Sequence, residues 1–274
     1  MTDRYAVIGN PVAHSKSPLL QKAFAEQTGQ DIGYDKILAP IDGFAKTVRR
    51  FQDEGGKGMN VTVPFKVEAY ELADELTPRA QAAGAVNTLV FREDGTILGD
   101  NTDGCGIVRD ISRNLGCSFA GQRVLLLGAG GAVRGALLPI LAEQPAEVFI
   151  ANRTAAKAVD LARQFAELVG TTTLHGGGFD EITGSFDIVI NGTASGLTDE
   201  APPLPGTVWG NHSLAYDMFY ANEPTAFMRA AIDAGALKVS DGLGMLVEQG
   251  AESFFLWRDV RPTTEPVIRK LRAG

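Results

Sequence analysis

Residues 123–134 read RVLLLGAGGAVR, and this stretch decides the fold. Its apolar run, Val124–Leu127, contains no polar residue and is closed by Gly128, which is typical of a parallel strand buried on both faces. Two further glycines follow, and Ala132–Glu143 then has the composition of a helix. The pattern therefore predicts a strand, a glycine-rich turn and a helix in direct succession.

A turn of this kind directs the first backbone N–H groups of a helix towards one point. The positive end of the helix dipole makes that point favourable for a pyrophosphate group. The full dinucleotide fingerprint has a third glycine where this chain has Val133. Because a glycine turn also serves as a plain tight connection, nucleotide binding is an interpretation that other parts of the chain must support.

The composition is that of an ordinary globular protein, with 45% apolar and 21% charged residues among 274. This is enough for one large domain or two ordinary ones. The net charge is −8, from 25 basic and 33 acidic side chains, and no basic cluster is present. We therefore expect no nucleic-acid partner.

Targeting and metal signals are also missing from the sequence. The N-terminus has no signal-peptide core, and no apolar run has the length needed to span a bilayer. The 2 cysteines fit reduced thiols, and the 3 scattered histidines offer no ligand cluster for zinc. We expect a cytoplasmic protein without a metal site and without membrane contact.

Strand and helix patterns alternate before the glycine turn. The predicted strands are Tyr5–Gly9, Tyr34–Leu38 and Gly58–Val63. The predicted helices are Pro18–Gln27, Gly43–Glu54 and a segment from Pro64 to about Leu76. Such alternation predicts a mainly parallel sheet, and ligands of these sheets bind beyond the carboxyl ends of the strands.

Three polar residues in this region have both a structural and a functional interpretation. Ser17 precedes Pro18 and suits a helix N-cap, whereas Ser15 is not needed for that cap. Lys66 lies in the first turn of a predicted helix, where the dipole disfavours a cation. It is therefore either a solvated surface lysine or an ammonium group held beside a ligand. Asp103 precedes a helical segment, so it is either a cap or a functional carboxylate.

Two amide side chains are less easily assigned. Asn87 lies in an apolar run, where a buried amide needs hydrogen-bond partners. Gln249 falls outside the apolar stripe of the last long helical pattern, as an exposed helix residue would.

The second strand of the nucleotide-binding unit, Val148–Ala151, ends in Asn152, Arg153 and Thr154, and Lys157 lies one turn further on. Folds that select NAD place an acidic residue near this position for the ribose hydroxyls. A neutral residue beside two cations instead suits a 2′-phosphate, which favours NADP as the cofactor.

These stretches together resemble the shikimate dehydrogenase family, closest to its NADP-dependent biosynthetic branch. They occur in family order and span nearly the whole chain. The matching motifs are Ser15–Pro18, Asn60–Lys66, Gly84–Thr88, Gly99–Gly104, Gly128–Ala132, Asn152–Thr154, Tyr216–Tyr220 and Asp241–Gln249.

The resemblance implies two α/β domains with a cleft between them. Residues 1–103 and 240–274 would form a substrate-binding domain with a mainly parallel sheet, and residues 104–239 a Rossmann-like NADP-binding domain. The reaction would be the reversible reduction of 3-dehydroshikimate to shikimate by NADPH. The state of assembly would be a monomer or a homodimer.

The resemblance also assigns roles to residues by position. Lys66 and Asp103 would be the catalytic pair. The substrate would be bound by Ser15, Ser17, Thr62, Asn87, Tyr220 and Gln249. The cofactor would be bound by Gly128, Ala129, Gly130, Gly131, Ala132, Asn152, Arg153, Thr154, Lys157, Met218 and Gly242.

Two other functions are compatible with this family resemblance. A quinate/shikimate dehydrogenase that uses NAD would prefer an acidic residue after the second strand of the nucleotide domain, and residues 152–156 contain none. A non-catalytic member that senses shikimate would be expected to lack Lys66 or Asp103, and both are present.

Overall fold

A computed structural model describes residues 2–193 and 200–273. The chain divides into two compact units. Unit 1 comprises the residues up to Gly106 and those from Val247 onward, and unit 2 is Ile107–Leu246. The domain limits expected from the sequence, at 103/104 and 239/240, lie a few residues before these two boundaries.

The first part of the chain supplies six strands and five helices to the described structure. The strands are β1 Asp3–Gly9, β2 Ile32–Leu38, β3 Gly56–Val61, β4 Glu75–Leu76, β5 Thr88–Phe91 and β6 Ile97–Asp100. The helices are α1 Ser17–Thr28, α2 Phe44–Asp53, α3 Lys66–Leu72, α4 Pro78–Ala83 and α5 Asp103–Arg109.

The remaining elements follow in chain order. The strands are β7 Arg123–Leu127, β8 Glu147–Ala151, β9 Thr173–Gly177, β10 Phe186–Asn191, β11 Trp209–Asp217 and β12 Lys238–Ser240. The helices are α6 Gly131–Ala142, α7 Ala155–Gln164, α8 Ala226–Asp233, α9 Leu243–Arg258 and α10 Glu265–Arg272.

The described strands of unit 1 form one sheet in the order β2-β1-β3-β5-β6-β4. Strand β1 pairs in parallel with β2 and β3, and β4 pairs in parallel with β6. Strand β5 is antiparallel to both of its neighbours. Phe65, which is fully buried, stacks on Phe44 of α2 with ring centroids 4.9 Å apart. This packing fixes the start of α3, and therefore the position of Lys66.

The described strands of unit 2 form a sheet in the order β12-β11-β10-β7-β8-β9, in which every pairing is parallel. The side chains of Val124–Leu127 are all 0% exposed. The predicted strand buried on both faces is therefore confirmed. Because the strands are parallel, the segments that follow β7, β8 and β10 all leave the sheet at the same edge.

Helix α3 is shorter than the sequence pattern predicts, because it ends at Leu72 and not near Leu76. Ala73 is extended, with ψ 133°. Asp74 then pairs with Ile97, donating its backbone N–H to the Ile97 carbonyl at 2.9 Å and accepting the Ile97 N–H on its carboxylate at 2.8 Å. Leu76 consequently belongs to β4, since these strand partners outweigh the local helical pattern.

The predicted N-cap at Ser17 is also wrong. Helix α1 begins at Ser17 itself, and Lys16 before it gives no side-chain cap. The backbone N–H of Ser17 donates to Ser15 Oγ at 3.3 Å, and the Ser15 hydroxyl lies 3.1 Å from Ser17 Oγ. Ser15 Oγ therefore accepts the N–H of Ser17 itself, and the N–H groups of Leu19 and Leu20, which a cap at Ser17 was expected to bind, donate to the Lys16 carbonyl.

Across residues 2–193 and 200–273, none of the helices combines the length and the apolar character that crossing a membrane requires.

Candidate functional site

Lys66 and Asp103 form an ion pair at the starts of two helices of unit 1. Lys66 Nζ lies 2.6 Å from Asp103 Oδ2. Their side chains are 34% and 18% exposed, so solvent and small molecules can still reach the pair. Asn101 Oδ1 accepts the backbone N–H of Asp103 at 3.2 Å. The carboxylate of Asp103 is therefore left to face other side chains.

Asn87 holds the second oxygen of this carboxylate. The Asn87 side chain is buried, and its Nδ2 donates to Asp103 Oδ1 at 2.8 Å. Its Oδ1 accepts the backbone N–H of Thr102 at 2.9 Å. A backbone N–H can only donate, so this contact determines which end of the amide is the oxygen. Asp103 is thus fixed from both sides, by Lys66 and by Asn87.

Gln249 reaches the same group of residues from α9. Its Oε1 lies 3.4 Å from Asn87 Nδ2 and 3.4 Å from Thr102 Oγ1. The side chain is half-buried, so the expectation of an exposed helix residue does not describe it. Thr62 is also half-buried and directly follows β3, where its backbone N–H donates to the Ile8 carbonyl at 3.0 Å.

Ser15 and Ser17 follow β1 and are linked to these residues through Tyr34. The Tyr34 hydroxyl donates to Asn60 Oδ1 at 2.7 Å and is hydrogen-bonded to Ser17. Burial raises the pKa of Tyr34 well above its ordinary value, and the Ser17 hydrogen bond opposes this only in part. The phenol therefore remains a donor at neutral pH, and Asn60 keeps a defined orientation.

Sequence reasoning did not single out Thr88, Thr102 or Ser253, which surround Asn87 together with Asn60. All four of these polar residues are buried. Two signals were available: Thr88 and Thr102 are chain neighbours of Asn87 and Asp103, and Ser253 lies one helical turn after Gln249. A hydroxyl at that helical spacing shares a face with Gln249.

Unit 2 contains a cavity of about 770 Å³ at the edge where β7, β8 and β10 end. The predicted cofactor residues that line it are Gly128, Ala129, Gly130, Gly131, Ala132, Asn152, Arg153, Thr154 and Lys157.

The glycine turn leaves space for a ligand. Gly128 has φ +105°, and a Cβ there would lie 3.2 Å from the Gly192 carbonyl oxygen, so glycine is required. A Cβ at Gly130 or Gly131 would meet no heavy atom of the described residues within 4 Å. The protein itself therefore does not need glycine at these two positions. The space that their missing side chains leave fits a phosphate group against the N-terminus of α6.

Arg153 and Lys157 are exposed at the rim of this cavity. Asn152 Nδ2 donates to the Thr154 carbonyl at 2.9 Å, which shapes the turn before α7. Glu200 also lines the cavity, so its surface is not uniformly positive. The residue at the end of β8 is nevertheless neutral, and two cations follow it. This donor set fits a 2′-phosphate.

Met218 and Gly242 lie beside the glycine turn within unit 2. A Cβ at Gly192 would be 3.1 Å from Met218 Sδ and 2.6 Å from Val133 Cγ2. A Cβ at Gly242 would be 2.2 Å from the Met218 carbonyl oxygen, so only glycine allows this approach. Met218 is thereby held against Gly192, which lines the cavity.

Tyr220 is the one predicted substrate residue that belongs to unit 2. Its ring packs against Phe219 with centroids 6.4 Å apart, and burial raises the pKa of its hydroxyl.

Within the described ranges, no group of three His, Cys, Asp or Glu side chains is arranged to hold a metal ion.

Three family models match the chain. They describe the shikimate dehydrogenase substrate-binding domain at residues 7–89, shikimate/quinate 5-dehydrogenase at residues 110–198, and the shikimate 5′-dehydrogenase C-terminal domain at residues 242–272.

Individual relatives are similar to this chain over nearly its full length. Shikimate dehydrogenase (NADP(+)) of Herminiimonas arsenicoxydans is 60% identical, covering 100% of this chain and 98% of its own. An Ael1 enzyme from Pseudomonas putida is 48% identical, with a TM-score of 0.93 and 98% of each chain covered. Shikimate 5-dehydrogenase from Thermus thermophilus, solved in complex with NADP(H) and shikimate, is 31% identical, with a TM-score of 0.86 and 99% of each chain covered. The chain therefore belongs to the shikimate dehydrogenase family.

Proposed function

We propose that the protein catalyses the reversible reduction of 3-dehydroshikimate to shikimate with NADPH. The observation that carries this proposal is the ion pair of Lys66 and Asp103, 2.6 Å apart and reinforced by Asn87. It stands in a chain that is 60% identical to a shikimate dehydrogenase (NADP(+)) over its full length.

The chemistry needs a proton donor beside a ketone, and Lys66 supplies one. When bound, NADPH provides the hydride that adds to the ketone carbon. Negative charge then develops on the ketone oxygen, and an ammonium group at hydrogen-bond distance stabilises it and donates a proton. In the reverse direction the same amine accepts the proton from the hydroxyl.

Asp103 anchors the ammonium group and orients the ring. One oxygen of its carboxylate holds Lys66 Nζ, and the other is held by Asn87. A carboxylate oxygen has more than one acceptor site, so Asp103 can also accept a hydrogen bond from the ring hydroxyl next to the ketone.

The remaining polar groups recognise a small anionic ring that carries several hydroxyls. Ser15 and Ser17 would bind the substrate carboxylate. The other substrate groups would be contacted by Thr62, Asn87, Tyr220 and Gln249. A site of this kind rejects a ring that leaves one of its buried polar groups unpaired, which costs about 1–3 kcal/mol for each group.

Unit 2 would bind NADP and supply Tyr220, and unit 1 would carry the catalytic pair and the other proposed substrate residues. The glycine turn and the N-terminus of α6 would receive the pyrophosphate, and Arg153 with Lys157 would receive the 2′-phosphate. Met218 and Gly242 would flank the nicotinamide. We further propose a cytoplasmic location, since neither cysteine of the described structure takes part in a disulfide bond. The state of assembly would be a monomer or a homodimer.

The test is the absorbance of reduced nicotinamide in purified protein supplied with shikimate or quinate and with NADP or NAD. We expect a fast rise with shikimate and NADP, and little with quinate or NAD. Comparable rates with quinate and NAD would indicate a quinate/shikimate dehydrogenase. Binding of shikimate without any rise in absorbance would indicate a sensor and would overturn the proposal.

A further inference from the structure

Two buried hydroxyl groups lie behind Asn87, on the side away from Asp103. Thr88 Oγ1 is 2.9 Å from Asn87 Oδ1 and 2.8 Å from Ser253 Oγ. Ser253 Oγ in turn accepts a hydrogen bond from Asn60 Nδ2 at 2.9 Å. The side chains of Thr88 and Ser253 are both 0% exposed, so water cannot replace either contact.

The direction of each hydrogen bond follows from the number of protons. Asn87 Oδ1 can only accept, so the single hydroxyl proton of Thr88 is donated to it. The contact between Thr88 and Ser253 is then a donation from Ser253, whose proton has the Gln249 backbone carbonyl as a second acceptor at the longer distance of 3.1 Å. The Ser253 oxygen is left to accept the proton from Asn60 Nδ2. Every link therefore points towards Asn87, and the far side of the Asn87 amide donates to Asp103.

We propose that Thr88 and Ser253 are positioning residues for the reaction. They hold the Asn87 amide so that its N–H group stays on Asp103 Oδ1, which keeps the other oxygen of the carboxylate on Lys66. This inference rests on the proposed function, because Lys66 and Asp103 are the proposed catalytic pair. Hydrogen bonds in such a chain polarise one another, so a loss at Thr88 weakens the donation to Asp103.

The chain offers substitutions that separate this role from simple packing. Thr88→Val keeps the shape of the side chain and removes the hydroxyl, whereas Thr88→Ser keeps the hydroxyl and removes a methyl group. A control is Thr47→Val. Thr47 is buried in the same unit, and its hydroxyl donates at 2.8 Å to the carbonyl of Gly43, the residue before α2. Thr47→Val therefore removes a buried threonine hydroxyl, as Thr88→Val does, but this hydroxyl does not contact Asn87.

The experiment measures kcat for shikimate, KM for NADP and the melting temperature of wild type and these variants. We expect Thr88→Val to lower kcat about 10- to 100-fold, because Asn87 Oδ1 then keeps only its contacts with Thr102 and the buried Ser253 hydroxyl loses its Thr88 partner. Thr88→Ser should keep most of the wild-type kcat, although its packing defect is larger than that of Thr88→Val. KM for NADP should be unchanged in all variants, and Thr47→Val should keep the wild-type kcat.

Three outcomes would overturn the inference. They are a kcat for Thr88→Val within twofold of wild type, an equal loss in Thr88→Ser, or an equal loss in Thr47→Val. If Thr88→Val does not fold, Ser253→Ala takes its place, because it removes the donor to Thr88. That variant should show a smaller loss of kcat than the one expected for Thr88→Val, and a wild-type kcat would contradict the inference.

Failure of the proposed function can be distinguished from failure of this inference. If wild type does not oxidise shikimate with NADP, the proposed function is wrong. A crystal structure of Thr88→Val then still tests the positioning role without any turnover. We expect the Asn87 amide to move beyond hydrogen-bonding distance of Asp103 Oδ1. An amide in the wild-type position would contradict the inference.

Discussion

At the residue scale, the ion pair explains why a lysine is found where a helix dipole disfavours it. Lys66 begins α3, whose first turn also contains Glu68. The interaction of such a cation with the positive end of the helix dipole is unfavourable, typically by about 0.3–1 kcal/mol. The Asp103 carboxylate, 2.6 Å from the ammonium group, acts in the opposite direction with a similar magnitude, about 0–1 kcal/mol for a partly exposed pair. The position is therefore maintained by a partner that is distant in sequence.

We expect Lys66→Ala to fold normally and to lose about 10²- to 10⁴-fold in kcat, because the proton donor is removed. Stability should change little, since the pair is partly exposed and such pairs contribute about 0–1 kcal/mol. Steady-state rates and thermal melts test both statements. The control is Lys46→Ala, which removes an exposed lysine on α2 of the same unit. Near-normal turnover in Lys66→Ala would exclude Lys66 from the mechanism.

Arg153 is expected to distinguish the two nicotinamide cofactors. Arg153→Ala should raise KM for NADP about 10- to 100-fold, because an exposed 2′-phosphate loses a charge-assisted hydrogen bond, and should leave KM for NAD nearly unchanged. The comparison is Arg163→Ala, an exposed arginine on α7 that pairs with Asp160. Equal effects of Arg153→Ala on both cofactors would refute the 2′-phosphate assignment.

Residue types and spacing were sufficient to select Lys66, Asp103 and Asn87 as candidates, but they did not give the partners. The pairing of Lys66 with Asp103 joins two helix starts that are 37 residues apart. Ser253 reaches Thr88 across 165 residues. Local patterns carry no information about such contacts, which depend on the sheet order and on the return of α9 to unit 1.

At the element scale, the unit around β7 and α6 follows from local sequence, whereas α3 does not. Four consecutive apolar residues followed by a glycine were sufficient to predict β7 and its turn from local sequence, and Gly128 has the positive φ that suits glycine. The end of α3 depends on β6, because Asp74 exchanges two hydrogen bonds with Ile97. Helix α3 is therefore shorter than its local pattern predicts, because hydrogen bonds to β6 compete with continuation of the helix.

The N-terminus of α6 allows a test in which stability and cofactor binding respond in opposite directions. Gly131 is exposed, and a side chain there would meet no described heavy atom within 4 Å. Gly131→Asp should stabilise α6 by about 0.3–1 kcal/mol through the helix dipole. The same carboxylate should repel a pyrophosphate and raise KM for NADP.

The matched control is Gly131→Asn, which has nearly the same size without the charge. We expect the Asp variant to melt at the same or a higher temperature than the Asn variant and to have the weaker affinity for NADP. The measurements are thermal melts without cofactor and binding titrations with NADP. Equal affinities of the two variants would show that the phosphate does not approach the helix N-terminus.

At the scale of the whole molecule, the net charge of −8 does not favour the two anions that the protein is proposed to bind. Recognition must therefore be local. In unit 2 it would come from α6, Arg153 and Lys157, and in unit 1 from Lys66 and neutral hydroxyls. The family motifs of the sequence alone indicated two domains, but the boundaries depend on packing, which sequence patterns do not contain.

Hydrogen exchange can test this division of labour between the units, because a ligand that binds only the folded state slows the opening of the segments around its site. NADP alone should protect amides of residues 128–134 and 152–157, and shikimate alone should protect amides of residues 60–66 and 86–103. Arg153→Ala should remove the protection by NADP at a fixed concentration and leave that by shikimate intact. Strong protection of residues 128–134 by shikimate alone, or of residues 60–66 by NADP alone, would contradict the assignment. Shikimate would then be bound by unit 2, or NADP by unit 1, which is the reverse of the proposed arrangement.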